Sequence, residues 1–427
     1  MDNEIEIVID ELGIKGDGVA RLPEGDRVFV AGALPEERAR VILGQKRQEG
    51  ITGRLVEVIE RSPERAEPPC VHFGHCGGCA LQHMNATRYG HFKVNRALAG
   101  LLQAGLKPDH VEGPFISAPG SRRRAVLSAK CGQGGAVEIG FNERASHRLV
   151  QIGSCAVLKN SLVALLPVLR EFLTRIMREG ESYDVAIAES GSLTDVLITV
   201  LGKDGRGCAK DMAAVLKEMA EAGGITRISW QSSRFKTIET VVRKSPYVVN
   251  WGGFAVTPPP GAFMQATDEG ERALAEFAVS TVPKKSAVAD LYAGCGTFAF
   301  ALLAQGHRVD AFEGDAPALK ALADAGAGNV KLKAVKRDLA REPLTFQELK
   351  IYDAVVVDPP RVGAQKQAIE IARSSVSTVV SISCNPDSFA HDGGILAQAG
   401  FKLKRLRIVD QFLWSPHVEV AGLFIRK

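Results

Sequence analysis

The sequence predicts an α/β protein, its C-terminal part a doubly wound parallel sheet preceded by a small β-barrel and an α+β segment. Three observations carry this. From about Trp251, β-branched runs alternate with helical stretches, as in a parallel sheet covered on both faces. The first 60 residues hold short runs of alternating apolar and polar positions, separated by Gly, Pro and Asp turn signals. Between them the order strand–helix–strand is α+β in character. At 427 residues the chain exceeds one ordinary core, and segments 1–60, 61–250 and 251–427 are the expected domains.

With 45% hydrophobic and 24% charged residues, the composition is that of a globular protein. No apolar run reaches the length of a membrane span, and the acidic start MDNEIEIVIDE does not resemble a signal peptide. A cytoplasmic protein without membrane contact is expected. The net charge of +4 is mild, so local clusters such as Arg122–Arg124 matter more than the total. Eight cysteines in a reducing compartment point to metal or catalysis rather than disulfides.

In the first segment the candidate strands are Ile5–Ile9, Arg27–Val30, Arg38–Ile42 and Gly53–Val58. Arg38, Arg40, Lys46, Arg47 and Arg54 recur along them, as an OB-like nucleic-acid binder needs, although an ordinary solvated barrel reads the same way. Pro63–Pro69 reads as a linker. Cys70, Cys76 and Cys79 then form a Cys-x5-Cys-x2-Cys run rich in glycine, with Cys155 a distant fourth thiolate. Four thiolates suit an iron–sulfur cluster or structural zinc, and the spacing does not choose between them. His72, His75 and His83 are expected as solvated loop residues. Beyond a helix at Thr87–Leu102, the central segment alternates strands and helices, and its arginines read as a solvated face.

In the last segment Val288–Tyr292 is a strand, and Ala293–Thr297 is a glycine turn into a helix, where a ligand can approach the backbone. Glu313 ends the next strand 23 residues after Asp290, a place from which a carboxylate can hold ribose hydroxyls. Tyr352–Val357 is a buried strand that stops at Asp358-Pro359-Pro360-Arg361. Val376–Ile382 is the next, and Asn385-Pro386 breaks it so that Cys384 sits at its carboxyl end, the edge where open α/β sheets bind ligands. A buried, inert cysteine is the plain alternative. Glu419, just after the apolar Phe412–Trp414 loop, would have its pKa raised by burial, as a general base requires.

These residues together resemble the RNA uracil-5 methyltransferases that use S-adenosylmethionine, over nearly the whole chain. The resemblance rests most on Asp358-Pro359-Pro360-Arg361-Val362-Gly363, Ser383-Cys384-Asn385-Pro386 and His417-Val418-Glu419. It implies a Rossmann-like class I methyltransferase domain at the C-terminus and an RNA-binding TRAM domain over the first 60 residues. Cys384 would be the nucleophile and Glu419 the base. Gln265, Tyr292, Thr297, Glu313, Asp338 and Asp358 would bind S-adenosylmethionine, with Gln265 at its methionine end and Asp338 near the adenine. Cys70, Cys76, Cys79 and Cys155 would hold a 4Fe–4S cluster. The chain departs from the family's usual residues at Ser381, Ser388, His391 and Leu413-Trp414.

The chemistry is consistent with those residues. Carbon 5 of uracil is a poor nucleophile until a thiolate adds to carbon 6, and a base must then remove the carbon 5 proton so that the thiolate can leave. A paired or stacked uracil must be flipped out first. The expected partner is RNA, 23S rRNA by analogy with the ribosomal members, and the protein is expected to act as a monomer. A tRNA uracil-5 methyltransferase, a cytosine-5 RNA methyltransferase and a catalytically silent RNA-binding or ribosome assembly factor are the alternatives.

Overall fold

The computed structural model describes residues 4–144, 146–202, 206–234 and 237–426. They divide into two compact units. The smaller comprises residues 1–96, 142–148 and 412–417; the larger comprises 97–141, 149–411 and 418–427.

The smaller unit is built on a six-stranded sheet from the first 60 residues. Its long strands Arg38–Arg47 and Gly50–Glu60 pair antiparallel, and Ile9, Val28, Val30, Ala39 and Val41 fill the core beneath. Two short strands the alternation did not reveal, Glu11–Leu12 and Gly18–Arg21, complete it. Of the five basic residues expected to face nucleic acid, three are paired with acids of the same sheet: Arg38 with Glu60, Arg40 with Glu57, Lys46 with Asp26. A buried carboxylate, Glu37, joins this sheet to the linker through a two-pronged bond with Arg65 at 2.5 and 2.6 Å. The helix Ala86–Gln103 begins in this unit.

The larger unit holds two large sheets and a two-stranded one, Val249–Trp251 with Phe254–Val256. One has seven strands, with Arg124–Cys131, Ser182–Ser190, Leu193–Val200 and Arg227–Ser232 side by side. Ser182–Ser190 alternates buried and half-buried positions strictly, because only one face is covered. Helices Asn160–Ile176 and Lys210–Ala222 add Leu162, Leu169, Leu173 and Leu216 to its core.

The second sheet has eight strands. Leu332–Lys336, Arg308–Glu313, Ala287–Leu291, Ala354–Val357 and Thr378–Ser383 run parallel in that spatial order. Ala354–Val357 and Thr378–Ser383 are buried along their whole length, which is why their sequences are nearly continuous β-branched runs. The last strand, Glu419–Ile425, inserts antiparallel between Thr378–Ser383 and Lys402–Asp410. Gly422 permits that insertion, since a Cβ there would meet the Phe389 ring at 2.4 Å.

Helices are started by local signals: Thr267 accepts the Gly270 N–H at 3.0 Å, Asp315 that of Ala318 at 3.1 Å, and Asn385 that of Asp387 at 3.2 Å. One strand of this sheet comes from far upstream. His110–Ile116, which lies within 61–250 in sequence, pairs parallel with Lys402–Asp410 at the edge. Glu112 fixes that register by ion pairs of 2.6 Å to both Arg405 and Arg407.

Candidate active site

The strand order reverses between Ala287–Leu291 and Ala354–Val357, and at such a switch point the carboxyl ends of the strands open a crevice. The glycine turn after Leu291 stands there. Tyr292, Gly294 and Gly296 all take left-handed backbone, with φ of 62°, 54° and 102°. A Cβ on Gly296 would strike the Phe300 ring at 2.6 Å, whereas one on Gly294 would meet nothing within 4 Å. The turn is thus packed on its helix side and open on the other. Thr297 is the first residue of the helix Thr297–Ala304.

Glu313 reaches across from the next strand. Its two carboxylate oxygens accept the N–H of Gly294 at 2.9 Å and of Asp315 at 2.6 Å. The acid and the glycine turn, 19 residues apart, are therefore direct neighbours. Asp338 closes its own turn by accepting the Ala340 N–H at 3.2 Å. Burial pushes the Tyr292 phenol up to about 12, assisted by the charges of Asp392, Asp338 and Glu313. The charges of Glu313 and Asp338 thus both act on Tyr292 in the glycine turn.

Two strands away, register places the reactive pair. Ser383 lies opposite Val420, so the next residue on one strand, Cys384, flanks the preceding residue on the other, Glu419. The Cys384 turn is fixed by Ser383 Oγ, which accepts the Asn385 N–H at 3.1 Å, and by the Asn385 side-chain amide, which donates to Arg361 O at 3.1 Å. Asp358 ends the intervening strand, its N–H donated to Leu291 O at 3.3 Å.

Burial raises all three acids. Asp358 is pushed up to about 7, and Glu419, only 2% exposed, to about 8 by burial and by the Asp358 charge beside it. Burial and the charges of Glu419 and Asp358 push the Cys384 thiol up to about 11, while Arg361 pulls the other way. Asp290, beneath them and fully buried, is held well above the ordinary carboxylate range by burial and by Asp358. Groups poised to exchange protons cluster at functional sites in this manner.

Gln265 is buried, and two residues assigned no site role from the sequence hold it. Arg123, 2% exposed, donates to Gln265 O at 3.0 Å and forms ion pairs of 2.5 Å with Asp268 and Glu271. Gln411 donates to Gln265 Oε1 at 2.5 Å and accepts the Ala266 N–H at 2.7 Å. Arg124 lies over the Phe263 ring at 4.6 Å and acts on Glu419 through its charge. The Arg122–Arg124 run is therefore not a solvated face: Arg123 is core, and burial lowers Arg124 to about 10. Only its adjacency in sequence to a strand start hinted at this.

The cysteine run lies in the smaller unit. Cys76 N–H donates to His72 O at 2.9 Å, and Cys76 Sγ accepts the Gly78 N–H at 3.5 Å. Cys155 belongs to the larger unit. Among the described residues no group of three or more His, Cys, Asp or Glu side chains is gathered as a metal site. The 4Fe–4S cluster expected on these cysteines is thus without support among the described residues. The expectation of solvated histidines fails at His83: it is 1% exposed, packs on Phe73 at 5.8 Å, and burial lowers it to about 4.

The chain is similar to known proteins over its whole length. A family model described as tRNA (uracil-5-)-methyltransferase matches residues 254–427. An uncharacterized RNA methyltransferase of Caulobacter vibrioides is 39% identical, with 99% of this chain and 100% of that one covered. A 23S rRNA (uracil(1939)-C(5))-methyltransferase of Chromohalobacter salexigens is 32% identical over 98% of this chain and 88% of its own length. The chain belongs to the RNA uracil-5 methyltransferase family. Its fold is shared with the tRNA (uracil-54, C5)-methyltransferase of Pyrococcus abyssi, solved with S-adenosyl-L-homocysteine, at a TM-score of 0.75 and 22% identity over 99% of this chain and 100% of that one. Among the described residues no helix is long and apolar enough to cross a membrane.

Proposed function

We propose that this member of the family methylates carbon 5 of a uridine in 23S rRNA, in the cytoplasm, with Cys384 as nucleophile and Glu419 as base. The observation that carries it is the register that sets a thiol and a buried, high-pKa carboxyl on neighbouring strands at the sheet's carboxyl edge. The relative named for 23S rRNA supports the choice of RNA. Bound S-adenosylmethionine supplies the methyl group and a positive charge, and the open turn at Gly294, bonded to Glu313 and leading into Thr297, suits such a ligand, with Gln265, Tyr292, Asp338 and Asp358 proposed to bind it as well.

The residues then act in sequence. A cation beside Asp358, Glu419 and Cys384 favours the ionised form of each, opposing the burial that raises them. Cys384 would lose its proton to solvent and its thiolate add to carbon 6; the electron pair driven to carbon 5 would take the methyl as the methyl–sulfonium bond breaks, leaving S-adenosylhomocysteine. Glu419 removes the carbon 5 proton, the carbon 5–carbon 6 double bond re-forms, and the carbon–sulfur bond to Cys384 breaks. Arg124 offsets the negative charge that Glu419 carries while it waits. The uridine reaches this edge only flipped from its stack, at a cost of roughly a few kcal/mol.

The sheet of the first 60 residues is proposed as a TRAM module contacting RNA, with Arg47 and Arg54, which make no ion pair among the described residues, as its contacts. Cys70, Cys76, Cys79 and Cys155 are proposed as ligands of a 4Fe–4S cluster on the resemblance of the run to the family's motif; it takes no part in the steps above. The test of function is mass mapping of 5-methyluridine in ribosomal and transfer RNA from cells with and without the gene. Loss of one 23S rRNA site supports the reading, and loss confined to tRNA overturns the choice of RNA.

A further inference from the structure

The segment Asp410–Gln411 leaves the strand Lys402–Asp410 buried, with Gln411 at 1% exposure. A buried side-chain amide needs partners for two donors and an acceptor. Here the partners determine its orientation. The Ala266 N–H can only donate, so the atom that meets it at 2.7 Å is Gln411 Oε1. Gln411 Nε2 is therefore the donor to Gln265 Oε1 at 2.5 Å. Its second hydrogen is available to Glu419, which is hydrogen-bonded to Gln411 through one carboxyl oxygen, its Oε2 having no partner among the described residues.

We propose that Gln411 is the positioning residue that couples the base Glu419 to the cofactor-facing Gln265, so that one amide sets the geometry of both. The proposal rests on the reading of Glu419 as base. It follows that Gln265 Oε1 is engaged with Gln411 and that the Nε2 hydrogens of Gln265 are its remaining donors. It also follows that Gln411 stabilises the ionised form of Glu419. The other groups acting on Glu419 are Asp358 from the end of Ala354–Val357, Cys384 across the pair, and Arg124 from the seven-stranded sheet. Of these only Arg124 also favours its charge.

The experiment compares wild type with Gln411→Met and Gln411→Glu in two readouts. The first is binding of S-adenosylmethionine by calorimetry. The second is release of methylated RNA from the covalent adduct in a single turnover, from pH 6 to 9.5. Gln411→Met removes every bond; Gln411→Glu keeps the acceptor for Ala266 N–H and guards against failure of the first to fold. Both variants should move the rising limb of release upward by about one pH unit, because an unassisted buried carboxyl ionises later. Gln411→Met should bind the cofactor about five- to tenfold more weakly. A wild-type profile with wild-type affinity overturns the role of Gln411, and a change in one readout without the other overturns the coupling. Glu419→Gln run in parallel separates the failures: if it releases product at the wild-type rate, the base assignment falls. If it stalls while the Gln411 variants behave as wild type, only the role of Gln411 falls.

Discussion

Cys384 and Glu419 flank one rung of an antiparallel strand pair: Ser383 faces Val420, and each reactive residue is the next step outward. The two are 35 positions apart in sequence, yet their separation is fixed by backbone hydrogen bonds rather than by loops. Their proximity has an electrostatic consequence, since an ionised Glu419 raises the thiol beside it.

Cys384 should therefore be a slow thiol in the free protein. With its pKa pushed up to about 11, little thiolate exists at pH 8. Iodoacetamide labelling, read at the Cys384 peptide by mass spectrometry, should quicken about tenfold per pH unit through pH 8 to 10 and level off only above about pH 11. Glu419→Gln should label faster than wild type at pH 9, because the neighbouring negative charge is gone. Equal rates at that pH would mean that the two groups do not interact.

The raised carboxyls make stability fall with pH. Glu419 ionises near 8 in the folded protein against an ordinary 4.5, and Asp358 near 7 against 3.8. A group whose folded pKa is raised stabilises fully below its unfolded value, and that contribution is lost as pH climbs through the folded one. Glu419→Gln should raise the Tm relative to wild type at pH 9 by several degrees and far less at pH 5, at roughly 2–4 °C per kcal/mol. Calorimetric scans without ligand at the two pH values check the sign.

Arg123 is the structural anchor of the Gln265 segment. Its guanidinium holds Asp268, Glu271 and Gln265 O from a site only 2% exposed. Arg123→Met leaves Glu271 buried without its cation, a change that costs about 3–5 kcal/mol in comparable pairs. Urea unfolding should show that loss, with cofactor affinity falling as well. A midpoint unchanged from wild type would show that the pair contributes nothing.

The cysteine run is tested by metal content. Protein prepared without oxygen should carry iron and sulfide, and Cys70→Ser, Cys76→Ser, Cys79→Ser and Cys155→Ser should each lose them, while Cys131→Ser and Cys208→Ser retain them. Zinc with no iron would replace the cluster by a structural zinc ion. An absence of both would leave the run a plain loop.

What the sequence made visible was whatever repeats on a short period or sits where the chain turns. Buried strands such as Ala354–Val357 announced themselves as valine runs, and Asp358 and Cys384 were legible because a proline or Asn-Pro ends the strand just there. Glu313 does end its strand as the sequence indicated, while its bond to the Gly294 N–H was not legible. Long-range partners were not legible. Nothing local says that His110–Ile116 joins the last sheet, since its partner strand is almost 300 positions later. Arg123 was read as part of a solvated face, because polar side chains usually are, and nothing local singled out Gln411; burial came from elements that neither segment could reveal alone. His83 was misjudged for the same reason.

The role of Glu419 is open to a direct test, for its carboxyl is buried, raised to about 8, and hydrogen-bonded on one side only among the described residues. An amide in its place keeps the size and a hydrogen-bonding oxygen but accepts no proton. Glu419→Gln should bind RNA and S-adenosylmethionine, form the Cys384 adduct and transfer the methyl group. It should then stall, because the proton on carbon 5 stays and the bond to Cys384 cannot be expelled. A denaturing gel of this variant with uracil-containing RNA and methyl-labelled cofactor should show a labelled protein–RNA band that persists for hours, against minutes or less in wild type. The double variant with Cys384→Ala should show no band, which assigns the bond to that sulfur. Free methylated RNA released at the wild-type rate would remove Glu419 from the reaction and pass the proton to Asp358, the remaining raised carboxyl at the same edge.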